Sequence, residues 1–440
     1  MRKKVAHPDV SLLRYGIREL VELAQKLQAL IPGFRFIGEN IGDPVAKGWK
    51  VPPFMKRILA DALEHDDAAF AYTHSRGNIQ TRKWVAEYVR RHCPASRLDF
   101  EDVLFFNGLG SAIAVLYQMM APGARVLQPL PGYPAHISME RFFARSECIG
   151  YRTDPERDWA PDMADMERLV AEHPEAAAIL LINPNNPTGA VYSRETLEAV
   201  VRLAERHHLM LISDEVYFRM VFNGSAHVHL IELAAGRVPL IVLRGVSKDV
   251  PWPGGRCGWM EFHNTDMDPD FRDFADSLRK RMLVEVCATT LPQIVVPRIY
   301  DHPEFAAWLD SNNRELEAAS NRIAALLGST RGLSVRPIHG AFYMLPVFKE
   351  GVLNSRQSLP IAHAPARDFI ERAVSAPGFP PDKRFAFYLL ASTGICVVPA
   401  TDFESPLPGF RVTTLDRDPD RREKTYTALS RAVEQYLASA

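Results

Sequence analysis

Little in this 440-residue sequence is concentrated enough to decide a class by itself. No apolar run approaches the ~18 residues that a membrane helix requires, so a membrane-spanning chain is not expected. The basic start Met1-Arg-Lys-Lys4 is not followed by an apolar segment, so a secretory leader is not expected either. Lys and Arg number 52 against 53 Asp and Glu, which leaves no global field to draw in nucleic acid or an anionic membrane. Cysteine is sparse: Cys93, Cys148, Cys257, Cys287 and Cys396 are odd in number, scattered and without a CxxC pair. That speaks against a disulfide framework and a structural zinc site, leaves no metal expected, and suits a reducing cytoplasm. There is no internal repeat and no low-complexity tract. What remains is an ordinary globular composition, 47% apolar and 24% charged, long enough for two to three domain-sized units and a large core.

Apolar residues recur at helical spacing over residues 11–30 (Leu12, Leu13, Ile17, Leu20, Leu23, Leu27, Leu30), and Pro32-Gly33 stops them. From about residue 50 to 300, short unalternating apolar runs alternate with helical stretches. Strands are predicted at 103–106, 125–127, 178–182, 209–213, 240–244 and 257–262, with helices at 111–120 and 194–207. Buried strands interleaved with helices predict a mostly parallel sheet covered on both faces. A long amphipathic helix over 305–327 then leads to a smaller unit with strands at 334–336, 341–345, 396–399 and 410–414 and a last helix at 425–438. Residues 350–380, rich in Pro, Ser and Ala, are expected to contain loops.

Four signals follow one another in this frame: Asn183-Pro-Asn-Asn-Pro-Thr-Gly189, Asp214-Glu-Val-Tyr217, Ser247-Lys248 and Arg256. A lysine after a strand is ordinarily a solvated residue. Held inside a pocket, Lys248 is an amine able to form a Schiff base. Arg256 follows eight residues on, past Pro251-Trp-Pro-Gly-Gly255, and a guanidinium grips phosphate with two parallel hydrogen bonds. Asp214 could cap the next turn; facing the ring nitrogen of pyridoxal 5′-phosphate, it would keep that nitrogen protonated and make the ring an electron sink. Tyr217 is either a core tyrosine or a donor to the cofactor's phenolic oxygen, and Asn186 is placed to donate to a ring oxygen from a loop set by prolines and glycine.

Three further positions carry weaker signals. Asn107-Gly-Leu-Gly-Ser-Ala112 joins a strand to a helix, where free amides suit a phosphate. It resembles a dinucleotide fingerprint only until Ile113 takes the place of the third glycine. Tyr133, in Pro131-Gly-Tyr-Pro134, packs or stacks on a ring. Arg411, inside the apolar run Gly409-Phe-Arg-Val-Thr413, either turns to water or meets an anion such as a substrate carboxylate.

On these residues the chain resembles the class I and II aminotransferases, fold type I of the pyridoxal-phosphate enzymes, from about residue 35 to the C-terminus. The order Asn186, Asp214, Tyr217, Lys248, Arg256, Arg411 agrees with that family's. Tyr15-Gly-Ile-Arg18, Asn40-Ile-Gly-Asp-Pro44, the 183–193 stretch and Phe410-Arg-Val-Thr-Thr-Leu415 resemble the alanine-type subgroup.

The resemblance implies an α/β fold: a mostly parallel seven-stranded sheet in a large domain, and a smaller α+β C-terminal domain. Residues 1–50 would form an arm and part of the small domain, 51–310 the large cofactor-binding domain and 311–440 the small one. It implies that Leu109 and Gly110 supply phosphate-binding amides, that Tyr133 stacks on the ring, and that Ser247 lies at the cofactor beside Lys248. Gly42 would approach the substrate carboxylate through its backbone, and Tyr15 and Arg18 would face the substrate. Tyr72 would reach the phosphate of a partner subunit's cofactor, making a cytoplasmic homodimer with shared sites the active form.

The expected reaction is amino-group transfer between an amino acid, alanine- or glutamate-like, and a 2-oxo acid. Lys248 would move the Cα proton. A lyase on the same fold would use the same residues. A non-catalytic cofactor-binding regulator would need a DNA-binding domain, and the first forty residues show no basic recognition helix. A nicotinamide dehydrogenase would rest on Gly108-Leu-Gly110 alone.

Two stretches depart from the family pattern: the loop Asp249–Gly255, which puts a carboxylate beside Lys248, and residues 279–290. Arg279 and Arg281 are candidate readers of a distal carboxylate, and Trp49, Trp252 and Phe342 either line an apolar pocket or simply pack.

Overall fold

A computed structural model describes residues 2 and 4–439. After a two-residue strand β1 (Ile37–Gly38), eight strands form the central sheet: β2 (Val103–Phe106), β3 (Arg125–Leu130), β4 (Ile149–Asp154), β5 (Ala160–Pro161), β6 (Ala176–Ile182), β7 (Met210–Asp214), β8 (Leu240–Gly245) and β9 (Gly258–His263). Their spatial order is β2-β9-β8-β7-β6-β3-β4-β5. Strands β4, β3, β6, β7 and β8 pair in parallel; β9 runs against both β8 and β2, and β5 against β4. The seven expected strands are thus joined by an eighth, the two-residue edge strand β5.

The unalternating apolar runs have a simple cause: both faces of this sheet are covered. Along β6, Ala178, Leu180 and Ile182 pack with Ile113 and Leu116 of the helix Leu109–Met119 and Leu278 of the helix Pro269–Val284. Ile179 and Leu181, pointing the other way, pack with Leu197, Val200 and Val201 of the helix Arg194–Arg206. With no solvent face, the period-2 alternation of polar residues disappears. Strand β4, nearer the edge, does alternate, with Arg152 exposed between buried Tyr151 and Thr153.

A second core lies beyond the sheet. Strands β10 (Leu333–Ser334), β11 (Tyr343–Met344), β12 (Val347–Phe348), β13 (Ile395–Cys396), β14 (Val398–Pro399) and β15 (Phe410–Thr413) are short; β11, β15 and β14 make an antiparallel sheet, and β1 pairs in parallel with β13. Leu20, Leu23 and Leu27 of the helix Gly16–Leu30 are buried in this core with Leu316, Phe385 and Tyr436. Burying each such leucine is worth about 1.5–3 kcal/mol. The N-terminal helix is therefore held by the C-terminal part of the chain. It begins at Gly16, after a short turn at Val10–Leu12, so the predicted helical stretch from residue 11 is divided. The helix Pro303–Gly328 links the two regions: Phe305 packs beside the sheet with Phe54 and Tyr300, while Ile323 and Leu327 enter the second core.

Candidate active site

Parallel strands end at one edge of a sheet, so the turns after them open at one place. The turns after β2, β3, β6, β7 and β8 do so here, and β9, running the other way, begins there. These turns and the N-terminal segment enclose a cavity of about 420 Å³. Every residue that the resemblance placed at the cofactor or substrate, except Tyr72, lines it.

Its anion-binding end is built where β2 meets the helix Leu109–Met119. Gly108 precedes that helix at φ 83° and is its N-cap. The first-turn amides of Leu109 and Gly110 have no acceptor one turn back. A β carbon on Gly108 would fall 2.4 Å from Arg256 Nη2, so only glycine lets this guanidinium sit against the helix start. Arg256 is itself held at φ 47°, and its Nη1 donates to the Pro253 carbonyl at 2.9 Å. Two positive ends meet with no carboxylate between them among the described residues.

The middle of the cavity holds Asp214 and Lys248. Asp214 ends β7 and is 3% exposed, yet no lysine or arginine pairs with it among the described residues. The Val216 amide donates to its Oδ1 at 3.1 Å, and His136 Nε2 lies 3.3 Å from Oδ2. Behind His136, its Nδ1 is 3.1 Å from the Tyr117 hydroxyl. Burial pushes the Tyr117 phenol well above its ordinary value, so it stays protonated and donates to Nδ1. His136 Nε2–H then donates to Asp214. Lys248 Nζ donates to the Gly42 carbonyl at 2.8 Å.

The third part is built around Arg411. Arg411, on β15, is buried. Its Nη1 donates to Asn186 Oδ1 at 3.0 Å and its Nη2 to the Asn40 carbonyl at 2.8 Å, and its guanidinium lies 4.3 Å from the centre of the Tyr343 ring. Asn186 therefore presents its amide NH₂ elsewhere. The Tyr217 hydroxyl donates to that of Tyr343 at 3.3 Å, and burial, then Tyr343 itself, raises the Tyr217 phenol well above its ordinary value. Gly42 is needed for space: a β carbon there would fall 2.0 Å from the Tyr343 hydroxyl. The Tyr15 and Tyr133 hydroxyls are 3.4 Å apart, and exposed Arg18 stands at the mouth without an ion-pair partner among the described residues.

Several candidates lie elsewhere. Tyr72 is 86% exposed and outside the cavity. Arg279 is engaged by Asp102 at 2.5 Å and Asp276 at 2.6 Å, and Arg281 by Gln118 and Glu285, so neither is free to read a substrate. Trp49 donates to the Leu415 carbonyl inside the second core, Trp252 packs on Gly255, and Phe342 is buried beside Tyr217. Asp249 turns away from the cavity that its neighbour Lys248 faces.

Sequence reasoning missed His136, Tyr117, Asn40 and Tyr343. His136 sits three residues after Tyr133 on the helix Pro134–Ala144 and carried a faint signal, Asn40 was noted only as the start of the string Asn40–Pro44, and the other two carried none. Glu215, His227 and His229 also converge within 4.8 Å of one another. Arg244 Nη2, 2.8 Å from Glu215 Oε2 and 3.1 Å from His229 Nδ1, is already the cation among them.

This donor set fits pyridoxal 5′-phosphate. A dianion suits the Arg256–helix junction, and a protonated ring nitrogen suits a buried carboxylate that lacks a cation. An aldehyde suits an amine with no acid partner among the described residues.

Comparison with known proteins agrees. The family model described as aminotransferase class I and II matches residues 40–424. The chain is 40% identical over 437 residues to an uncharacterized aminotransferase of Methanocaldococcus jannaschii, covering 99% of this chain and 100% of that one. It is 29% identical to alanine aminotransferase 1 of Homo sapiens, over 90% of this chain and 87% of that one. Among solved structures, an alanine aminotransferase from Pyrococcus furiosus superposes with a TM-score of 0.82 at 26% identity, over 97% of this chain and 98% of that one.

Proposed function

This chain belongs to the aminotransferase class I and II family, and we propose that its reaction runs through Lys248, Asp214 and Arg411 on alanine- or glutamate-like amino acids. It is a pyridoxal-phosphate-dependent aminotransferase, and the lyase alternative is not favoured. The observation that carries the residue assignment is the arrangement around Lys248. Its amine shares one cavity with a cation-free buried carboxylate, an anion-binding helix start and a buried arginine.

When bound, the cofactor would supply an aldehyde for the amino nitrogen and a ring that withdraws electrons from Cα. The protein supplies everything else. Arg256 and the Leu109 and Gly110 amides hold the phosphate end. Asp214, steadied by His136, would face the ring nitrogen and favour its protonated form. Arg411 grips the substrate carboxylate, with Asn186 and the Asn40 carbonyl fixing the plane of its guanidinium. Lys248 Nζ would take the proton from the substrate Cα and carry it as general base and then general acid. Tyr217, protonated, donates a hydrogen bond from its Oη.

The substrate reading rests on the likeness to alanine aminotransferases and on Arg18, an exposed cation at the mouth of the cavity. A homodimer is supported by exposed apolar side chains: Phe70 and Tyr72 on one segment, Leu283, Val284 and Val286 on another. Thr290, four residues past Val286, donates its Oγ1 to the carbonyl of Ala71, between Phe70 and Tyr72. A division at about residues 50 and 310 is supported by a core built mostly from residues after 310 and the N-terminal helix, and a cytoplasmic location by five free cysteines.

Lys248→Ala is expected to lose both turnover and the visible absorbance of covalently held cofactor. A variant keeping both would overturn the assignment of Lys248. Amino donors tested against 2-oxoglutarate and pyruvate read the substrate, and failure of alanine and glutamate as donors would overturn that part alone.

A further inference from the structure

Lys248 and Tyr217 line the cavity, but residues beside each in sequence meet on its far side. Asp249 is 1% exposed. Arg219 Nη1 donates to its Oδ2 at 2.8 Å, and the Tyr300 hydroxyl lies 3.2 and 3.1 Å from its two oxygens. The Arg219 guanidinium is enclosed by rings: 3.9 Å from the centre of Tyr300, 4.4 Å from Phe218, 5.0 Å from Tyr88 and 5.5 Å from Phe305. Asn313 Nδ2 holds the Arg219 carbonyl at 2.8 Å. Walled off from water, such a pair is strong and directional, and removing one partner leaves the other charge buried alone.

Its place in the chain gives it consequence. Asp249 is one residue past Lys248 and Arg219 two past Tyr217, so the pair ties the loop carrying the amine to the turn carrying the phenol. Tyr300, at the end of the helix Thr290–Tyr300, anchors the tie to a third element. A lysine side chain has four rotatable bonds, and where its nitrogen rests depends on how firmly its backbone is held. A misplacement of about 1 Å can cost on the order of a hundredfold in rate.

We propose that Asp249, Arg219 and Tyr300 form a positioning cluster that sets Lys248 Nζ against the substrate Cα, so that this unusual loop serves proton transfer rather than substrate choice. The proposal rests on Lys248 being the proton-moving amine, which Lys248→Ala tests separately.

The experiment compares holoenzyme Asp249→Asn and Tyr300→Phe with the parent. It measures kcat, KM, the isotope effect of α-deuterated amino donor on kcat, thermal unfolding, and the rate at which cofactor-free protein bonds added pyridoxal 5′-phosphate at Lys248, trapped by borohydride and read by peptide mass. Asp249→Asn is expected to lower kcat at least roughly tenfold with KM changed less than about threefold, to raise the isotope effect, and to slow bonding at Lys248. Tyr300→Phe keeps the charges paired and gives the same signature, smaller; it carries the test if Asp249→Asn does not fold. Parent-like kcat, isotope effect and bonding rate in a folded variant of lowered melting temperature would reduce the cluster to a structural tie and overturn the proposal. A dead Lys248→Ala alongside that result leaves the assignment of Lys248 standing, whereas an active one removes the premise itself.

Discussion

Asp402 shows how a single buried group can set a pH dependence outside the chemistry. It lies under the first turn of the helix Gly16–Leu30, where a β carbon on Gly16 would fall 2.1 Å from its Cγ. Lys383 Nζ is 3.5 Å from its Oδ1, and its buried Oδ2 has no hydrogen-bond partner among the described residues. Burial pushes the Asp402 carboxyl up from 3.8 to about 6; Lys383 opposes the rise, while Glu19 and Asp382 add to it. The folded chain then keeps a proton that the unfolded chain releases near pH 4. The resulting stability is fully present below that pH and is lost as pH rises to about 6. Asp402→Asn should therefore match the parent's stability below pH 4 and exceed it by up to about 3 kcal/mol above pH 6. Urea unfolding across that range reads the difference, and a gap that does not vary with pH would sink the idea. The residues legible at this scale were those whose chemistry admits no substitute: an amine, a carboxylate, two guanidiniums. His136 and Tyr343 escaped because they act through contacts with Asp214 and Tyr217, made by segments far apart in sequence.

Among elements, the strand–turn–helix at Phe106–Leu109 does the most with the fewest atoms. Gly108 gives the turn both its positive φ and the clearance that Arg256 needs. Gly108→Ala should strain the turn and displace the guanidinium, weakening cofactor binding at least roughly tenfold. Titrating cofactor-free protein with pyridoxal 5′-phosphate by absorbance checks this, and unchanged affinity would mean that the junction does not hold the phosphate. The central strands were legible to within a few residues because burial on both faces leaves continuous apolar runs. The helix Pro381–Thr393 was not: Phe385 to Ala391 are all buried, and a helix apolar all round has no amphipathic period to read. The predicted strands at 334–336 and 341–345 shrink to two residues each, since short antiparallel pairs depend on partners far along the chain.

At the scale of the whole molecule, Tyr72 is exposed and lies outside the cavity that holds Lys248. If a second copy completes the site, Lys248→Ala and Tyr72→Ala are complementary defects. Mixed under subunit exchange, they form one intact site per heterodimer, from Lys248 of one copy and Tyr72 of the other. Activity should rise above the sum of the separate variants, with a dimer mass by sedimentation. Proven exchange without a rise would remove Tyr72 from the site. The sequence by itself determined the family, the cofactor and the order of the groups proposed to hold it, because that chemistry demands particular side chains after particular strands. Only the tertiary structure decided that Arg279 and Arg281 are spent on Asp102, Asp276 and Glu285, that His136 backs Asp214, and that Asp249 turns from the site to meet Arg219. Where a charged side chain points is settled by which partner can neutralise it out of water, and those partners lie from about thirty to nearly two hundred residues away in the chain for all but the local pairs.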